Sequence, residues 1–302
     1  MAGPIGWGHF VFVSAESEMK PAPFRYHTPR SVDEAVAILA EVAPRYGCVL
    51  AGGQSLVPMM AFRLAQPGDL VDINVVAGLA QLLTEPGWLS IGACVRHAAF
   101  HRPVTGGPLG ALLCEVAAHI AHYPIRTRGT FCGSLAHADP ASEWCLVAAT
   151  LGAQIRAHSV RGVRTIAADG FFRGTMSTAL APDELLTEVR LPLLSADSVF
   201  GFYEFSRRAG DYALAAALVV YRLEEGVIAE PRLGICGAEA WPRRIAEAEE
   251  VLKGARPSAE TFRAAADAAA AAVDPIGDAQ MPAAFRRTLV RTVTERALAR
   301  MG

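Results

Sequence analysis

Leu50-Ala-Gly-Gly-Gln-Ser-Leu-Val-Pro58 runs a short apolar strand into paired glycines and then into polar Gln54 and Ser55. Glycine permits backbone angles that other residues resist, and it clears space beside the chain. Consecutive N–H groups in such a turn can converge into an anion-binding concavity, with phosphate as the natural guest. An ordinary strand-to-helix turn is the alternative reading of this stretch alone. G-x-G-x-x-G and Gly-Lys-Ser/Thr are both absent, so it is neither a Rossmann fingerprint nor a Walker loop.

A second stretch has the same character: Arg126-Thr-Arg-Gly-Thr-Phe-Cys-Gly-Ser-Leu-Ala-His-Ala-Asp-Pro-Ala-Ser-Glu143. Gly129, Gly133, Ser134, Ala136 and Ala138 let a backbone come close to a neighbour or a ligand. Asp139-Pro140 reads as a helix start with proline in the first turn, whose positive end would point at the turn. Two such turns from distant parts of the chain can grip one diphosphate from both sides; a tight surface loop is the alternative. His137 and Asp139 lack a third donor nearby, so they make no metal site. Ser55, Ser134 and Ser142 are not flanked as G-x-S-x-G, which argues against a serine hydrolase. No carboxylate pair suits glycoside chemistry.

The 302 residues imply two or three structural units, and 52% hydrophobic against 19% charged residues supports a large core. With 28 basic against 30 acidic side chains and no basic tract, nucleic acid is not the expected partner. No apolar run is long enough to span a bilayer, and no secretory signal fits the N-terminus. The chain reads as soluble and cytoplasmic, with residues 1–18 as an N-terminal extension. Cys48, Cys94, Cys114, Cys132, Cys145 and Cys236 form no C-x-x-C pair, so reduced, mostly buried thiols are expected.

Ser31-Val-Asp-Glu34 is a capping-box pattern ahead of apolar positions 35, 36, 39 and 42, one face of a helix. Strands are expected at 48–51, 69–74, 88–93, 154–158, 164–167 and 185–191, and helices at 109–121 and 143–151. Strands at 200–207, 213–223 and 227–236 then precede helices at 243–253, 258–272 and 282–300. That order indicates an α+β unit with helices on one face of an antiparallel sheet.

Taken together, the two glycine stretches resemble the flavin-binding motifs of the FAD-carrying medium subunits of molybdenum hydroxylases, the family of carbon monoxide and xanthine dehydrogenases. Lys20-Pro-Ala-Pro-Phe-Arg-Tyr26, Leu70-Val-Asp-Ile-Asn74, Pro182-Asp-Glu-Leu-Leu186, Phe205-Ser-Arg-Arg-Ala-Gly-Asp-Tyr212 and Leu233-Gly-Ile-Cys-Gly-Ala238 follow in family order. The resemblance implies a PCMH-type (vanillyl-alcohol-oxidase-like) FAD domain at 19–196, with subdomains 19–76 and 77–196. A smaller domain at 198–302, with a three-stranded antiparallel sheet and a helical bundle, follows from it too.

Carried onto this sequence, the resemblance gives Ala51, Gly52, Gly53, Gln54 and Ser55 to the FAD diphosphate and Leu56 to the flavin. Thr130, Cys132, Gly133 and Ser134 hold the cofactor from the other side, with Asp139 near them. Glu143 takes the place of a family aspartate. Leu186 covers the adenine or the ring, and Asp211 and Tyr212 approach the isoalloxazine. Cys132 stands where the family has glycine, Glu143 lengthens one contact, and Thr127 replaces a common asparagine. No catalytic residue and no metal ligand are implied.

The implied role is an electron-transfer subunit that takes electrons from iron–sulfur clusters and passes them to an external acceptor. Molybdopterin and 2Fe-2S clusters belong to a large and a small partner subunit, in a dimer of heterotrimers. A stand-alone flavin oxidase or reductase of the same fold is the alternative, with Tyr212, His137 or Arg207 as its acid or base. A scaffold that has lost FAD is the third reading.

Overall fold

Ser31 caps the first helix as its spacing predicts: its hydroxyl accepts from Glu34 N at 3.1 Å, and the Glu34 carboxylate reaches back to Arg30 N at 2.7 Å. Removing such a cap costs about 1 kcal/mol. The computed structural model describes residues 20–277 and 281–300, so the N-terminal extension at 1–18 lies outside the described residues. Helix α1 (Val32–Val42) buries Ala35, Val36, Leu39 and Val42, the face read from the sequence. Around it, β1 (Arg25–His27), β2 (Cys48–Leu50), helix α2 (Leu56–Ala61) and β3 (Asp69–Asp72) form a small parallel layer with strand order β1-β3-β2.

Asp69 fastens this layer. It is buried on β3 and grips Arg25 through two contacts of 2.8 and 2.9 Å, with His27 Nε2 at 2.8 Å. The hydrogen bond from Arg25, then that from His27, holds its carboxyl down to about 2.

The next layer is an antiparallel sheet of order β4-β5-β10-β6-β7. Its early strands are β4 (Leu82–Glu85) and β5 (Trp88–Gly92). Helices α3 (Gly107–His119), α4 (Tyr123–Arg126), α5 (Phe131–His137) and α6 (Glu143–Leu151) follow. Strands β6 (Gln154–Ser159) and β7 (Gly162–Ala167) come next, then the short pair β8 (Phe172–Gly174) and β9 (Ser177–Thr178), then β10 (Leu185–Pro192). Phe100, Phe131 and Trp144 stack at centroid distances of 4.8–5.7 Å in the centre of this core.

The third layer has strand order β11-β12-β13-β14: β11 (Ser198–Phe205), β12 (Ala215–Glu224), β13 (Val227–Cys236) and β14 (Arg243–Arg244). Successive strand residues point to opposite faces, and β12 uses both. Ala215, Ala217, Val219 and Tyr221 meet helices α7 (Ala246–Leu252), α8 (Ala259–Ala272) and α9 (Ala283–Ala299). Ala216, Leu218 and Val220 join the core around α6. That helix packs on β10 and on β12 and β13. Gly234 permits the contact, since a Cβ there would stand 1.9 Å from Thr150 Oγ1.

Three local expectations shift. The three expected C-terminal strands gain the two-residue β14, so the helix expected from residue 243 begins at Ala246. Helix α6 starts at Glu143 under a Ser142 cap, not at Asp139-Pro140. The Asp139 carboxylate instead accepts from Ala141 N at 2.8 Å, closing a turn of its own.

A depressed carboxyl contributes stability above its unfolded value of 3.8, and that contribution is lost as pH falls toward about 2. Asp69→Asn removes it. Thermal melts should show a smaller loss of stability through this acid window for the variant than for the parent; equal slopes would remove Asp69 from that role.

Candidate functional site

The two glycine turns touch. A Cβ on Gly52 would lie 2.4 Å from Arg128 O and 2.6 Å from Gly129 Cα, so the main chains meet where only glycine fits. Gly53 adopts φ +71°, the left-handed region that favours glycine. Asn74 and Arg96 clasp the turns together. Asn74 Nδ2 donates to Ala51 O at 2.8 Å, and Asn74 N donates to Asp72 Oδ1 at 2.9 Å. The Arg96 guanidinium donates to Asn74 Oδ1 at 2.5 Å and to Arg128 O.

Between the turns opens a cavity of about 590 Å³, the size of a cofactor pocket. Ala51 through Leu56 form one wall; Thr130, Gly133, Ser134, Asp139 and Glu143 form a second; Asp211 and Tyr212 stand at the mouth. Among the described residues the amide N–H groups of Gly52, Gly53 and Gln54 have no protein acceptor. Such a row of free donors beside an apolar lining suits a diphosphate.

Gly210 (φ +82°) lays the loop carrying Asp211 against His122; a Cβ there would stand 2.5 Å from His122 Cε1. Arg126 fixes the wall behind, its Nη1 donating to Ile120 O at 2.7 Å and Ala121 O at 2.8 Å. Gly237 N donates to Pro140 O at 2.8 Å, which ties the C-terminal sheet to the second turn.

Two expected contacts need correction. Cys132 does not face the cavity: it lies inside helix α5, is 2% exposed, and its thiol points to Ile91 O at 3.4 Å. Its φ is not positive, so the position does not require glycine, and burial pushes its thiol well up, away from the reactive thiolate. Leu186 on β10 is 5% exposed and belongs to the core, not to the cavity lining. Gly133 does line the cavity, with its N–H donated to Thr130 Oγ1 at 3.0 Å as the cap of α5.

The sequence reading missed Asn74, Arg96 and His97. Asn74 lay inside a quoted motif, but its role depends on Arg96, which a linear pattern does not place beside it. His97 lines the cavity, and burial first, then Arg126 and Arg96, lower its pKa to about 4.

Glu143 and Glu204 are both held well above the usual carboxylate range, first by burial; Asp139 adds to the shift of Glu143, and Glu143 to that of Glu204. Glu204 Oε2 is buried without a hydrogen-bond partner.

The family model described as "FAD binding domain in molybdopterin dehydrogenase" matches residues 22–194, and "CO dehydrogenase flavoprotein C-terminal domain" matches residues 200–301. The nicotine 6-hydroxylase medium subunit of Paenarthrobacter nicotinovorans is 39% identical over 94% of this chain and 99% of its own. Among solved structures, carbon monoxide dehydrogenase from Hydrogenophaga pseudoflava, lacking the Mo-pyranopterin moiety of its molybdenum cofactor, superimposes with TM-score 0.88 at 35% identity. It covers 92% of this chain and 97% of that one. Quinoline 2-oxidoreductase from Pseudomonas putida 86 gives TM-score 0.86 at 34% identity, covering 93% of this chain and 97% of that one.

A carboxyl raised above its unfolded value of 4.5 favours the folded state only while protonated, so its contribution is lost as pH rises from 4.5 toward about 8. Glu204→Gln should therefore raise the melting temperature most above pH 8 and change it little below pH 4.5. A variant no more stable than the parent on the alkaline side would contradict the burial of a raised carboxyl there.

Proposed function

The chain belongs to the FAD-binding family of the molybdopterin dehydrogenases, and from that membership we propose that it is the electron-transfer subunit of a heteromeric molybdenum hydroxylase. One observation carries the reading: two remote glycine turns meet at Gly52 and Gly129 and line a single cavity with free main-chain donors.

In this reading the main chain from Ala51 to Ser55 holds the FAD diphosphate, and Leu56 lies near the flavin. Thr130, Gly133 and Ser134 bound the diphosphate and ribityl region from the second turn. Asp139 and Glu143 extend that wall, and Asp211 and Tyr212 close the mouth near the isoalloxazine. Bound FAD supplies exchange of one or two electrons; the protein supplies position and electrostatics. Leu50, Ile120 and Ile125 give the cavity apolar walls.

The chain works as part of a multi-subunit complex. The names of its relatives, which include a dehydrogenase complex subunit alpha and carbon monoxide dehydrogenase medium chains, support this. The finer assignment is a large molybdopterin-binding subunit and a small 2Fe-2S subunit, in a dimer of heterotrimers. Among the described residues no group of three or more histidine, cysteine and carboxylate side chains could hold a metal ion. The two cores are consistent with an FAD domain at 19–196 and a C-terminal domain at 198–302. Among the described residues no helix is long and apolar enough to cross a membrane; the proposed compartment is the cytoplasm.

Expressed with its neighbouring genes, the chain should copurify with two partner chains and one FAD each. Purification alone, with substrate turnover, would favour a stand-alone oxidase; a colourless complex would favour a scaffold. Gly52→Ala pushes a Cβ into Arg128 O and parts the turns, so the variant should retain its fold by circular dichroism and lose most bound flavin. Full flavin content in that variant would remove the turn contact from the account.

A further inference from the structure

We propose that His97 is a positioning residue of the cofactor cavity: a neutral imidazole whose Nε2–H donates to the diphosphate of bound FAD. The proposal rests on the FAD reading of the cavity given above.

The indole Nε1–H of Trp144 points at His97 Nδ1 at 2.9 Å. An indole nitrogen only donates, so Nδ1 must offer its lone pair. A neutral ring then carries its proton on Nε2. Trp144 cannot turn away, because it is fully buried and packed against Phe100 and Phe131. His97 is 5% exposed, and its main-chain N is tied to Gly129 O at 3.0 Å, so the ring is fixed at both ends.

The Nε2 edge faces the junction of the glycine turns. A Cβ on Gly129 would stand 2.5 Å from Nε2 and 2.6 Å from Cδ2, and Gly129 Cα is the atom that Gly52 abuts. The cavity-lining ring thus keeps a fixed donor with no protein acceptor among the described residues. An anion held at the turn junction supplies one, and a hydrogen bond to a charged acceptor is the stronger kind. The neutral state suits the role, because protonation would place a second N–H against the indole donor. Arg96 and Arg126 oppose that protonation from their own elements.

The test uses the full chain and two substitutions. His97→Asn keeps an acceptor for Trp144 near the Nδ1 position and removes the Nε2 donor; His97→Gln restores a donor near the Nε2 position. FAD and ADP, followed by fluorescence titration and calorimetry, should each bind about tenfold more weakly to His97→Asn. Riboflavin, which has no phosphate, should bind both chains alike, and His97→Gln should recover part of the loss. Should the variants fail to fold, nitrogen NMR of histidine-labelled wild type decides. The Nε2-protonated form should persist across neutral pH, and its Nε2 signal should move when ADP is added. Unchanged FAD affinity in His97→Asn, a ring protonated on Nδ1, or an unmoved Nε2 signal would overturn the role of His97 while leaving FAD binding intact. A wild-type chain that takes up no FAD would overturn the cofactor reading and this role with it.

Discussion

Everything at the site depends on a main-chain contact: Gly52 against Arg128 and Gly129, at a separation that leaves no room for a β-carbon. Turns far apart in sequence reach this distance only if something opposes the loss of chain entropy. Asn74 and Arg96 supply that opposition by satisfying carbonyls from both turns with one side-chain chain of donors. The amide N–H groups of Gly52, Gly53 and Gln54, beside the clasp, line the cavity without a protein acceptor among the described residues.

The layers around the clasp each fix one wall. The small parallel layer aims the first turn from the end of β2, and Asp69 locks its sheet. Helix α6, buried along its length between β10 and the C-terminal sheet, anchors Trp144 beneath the second turn and carries Glu143 to the cavity. The C-terminal layer lends the loop with Asp211 and Tyr212.

Much of this was legible in sequence. The face of α1, both glycine turns, helix α6 and the long C-terminal strands follow from apolar periodicity, caps and glycine pairs, which are local signals. What was not legible depends on contacts across sequence. Helix α5 was hidden because Gly133 and Ser134 weaken helical propensity, while Thr130 and the packing of Phe131 decide in its favour. Asp139-Pro140 imitated a helix start because aspartate closes a turn by the same hydrogen-bond chemistry that caps a helix. Cys132 and Leu186 were placed in the site by motif position, but helix and strand directions turn both side chains into the core. His97 carried no pattern at all; only the fold brings Trp144 to its Nδ1.

The most direct test of the shared grip is amide hydrogen exchange of the full chain across a titration with FAD. Residues 52–55 and 129–134 should gain protection together, with one midpoint, as a single dinucleotide engages both turns. Protection of one turn alone, or of neither at saturating FAD, would contradict the account.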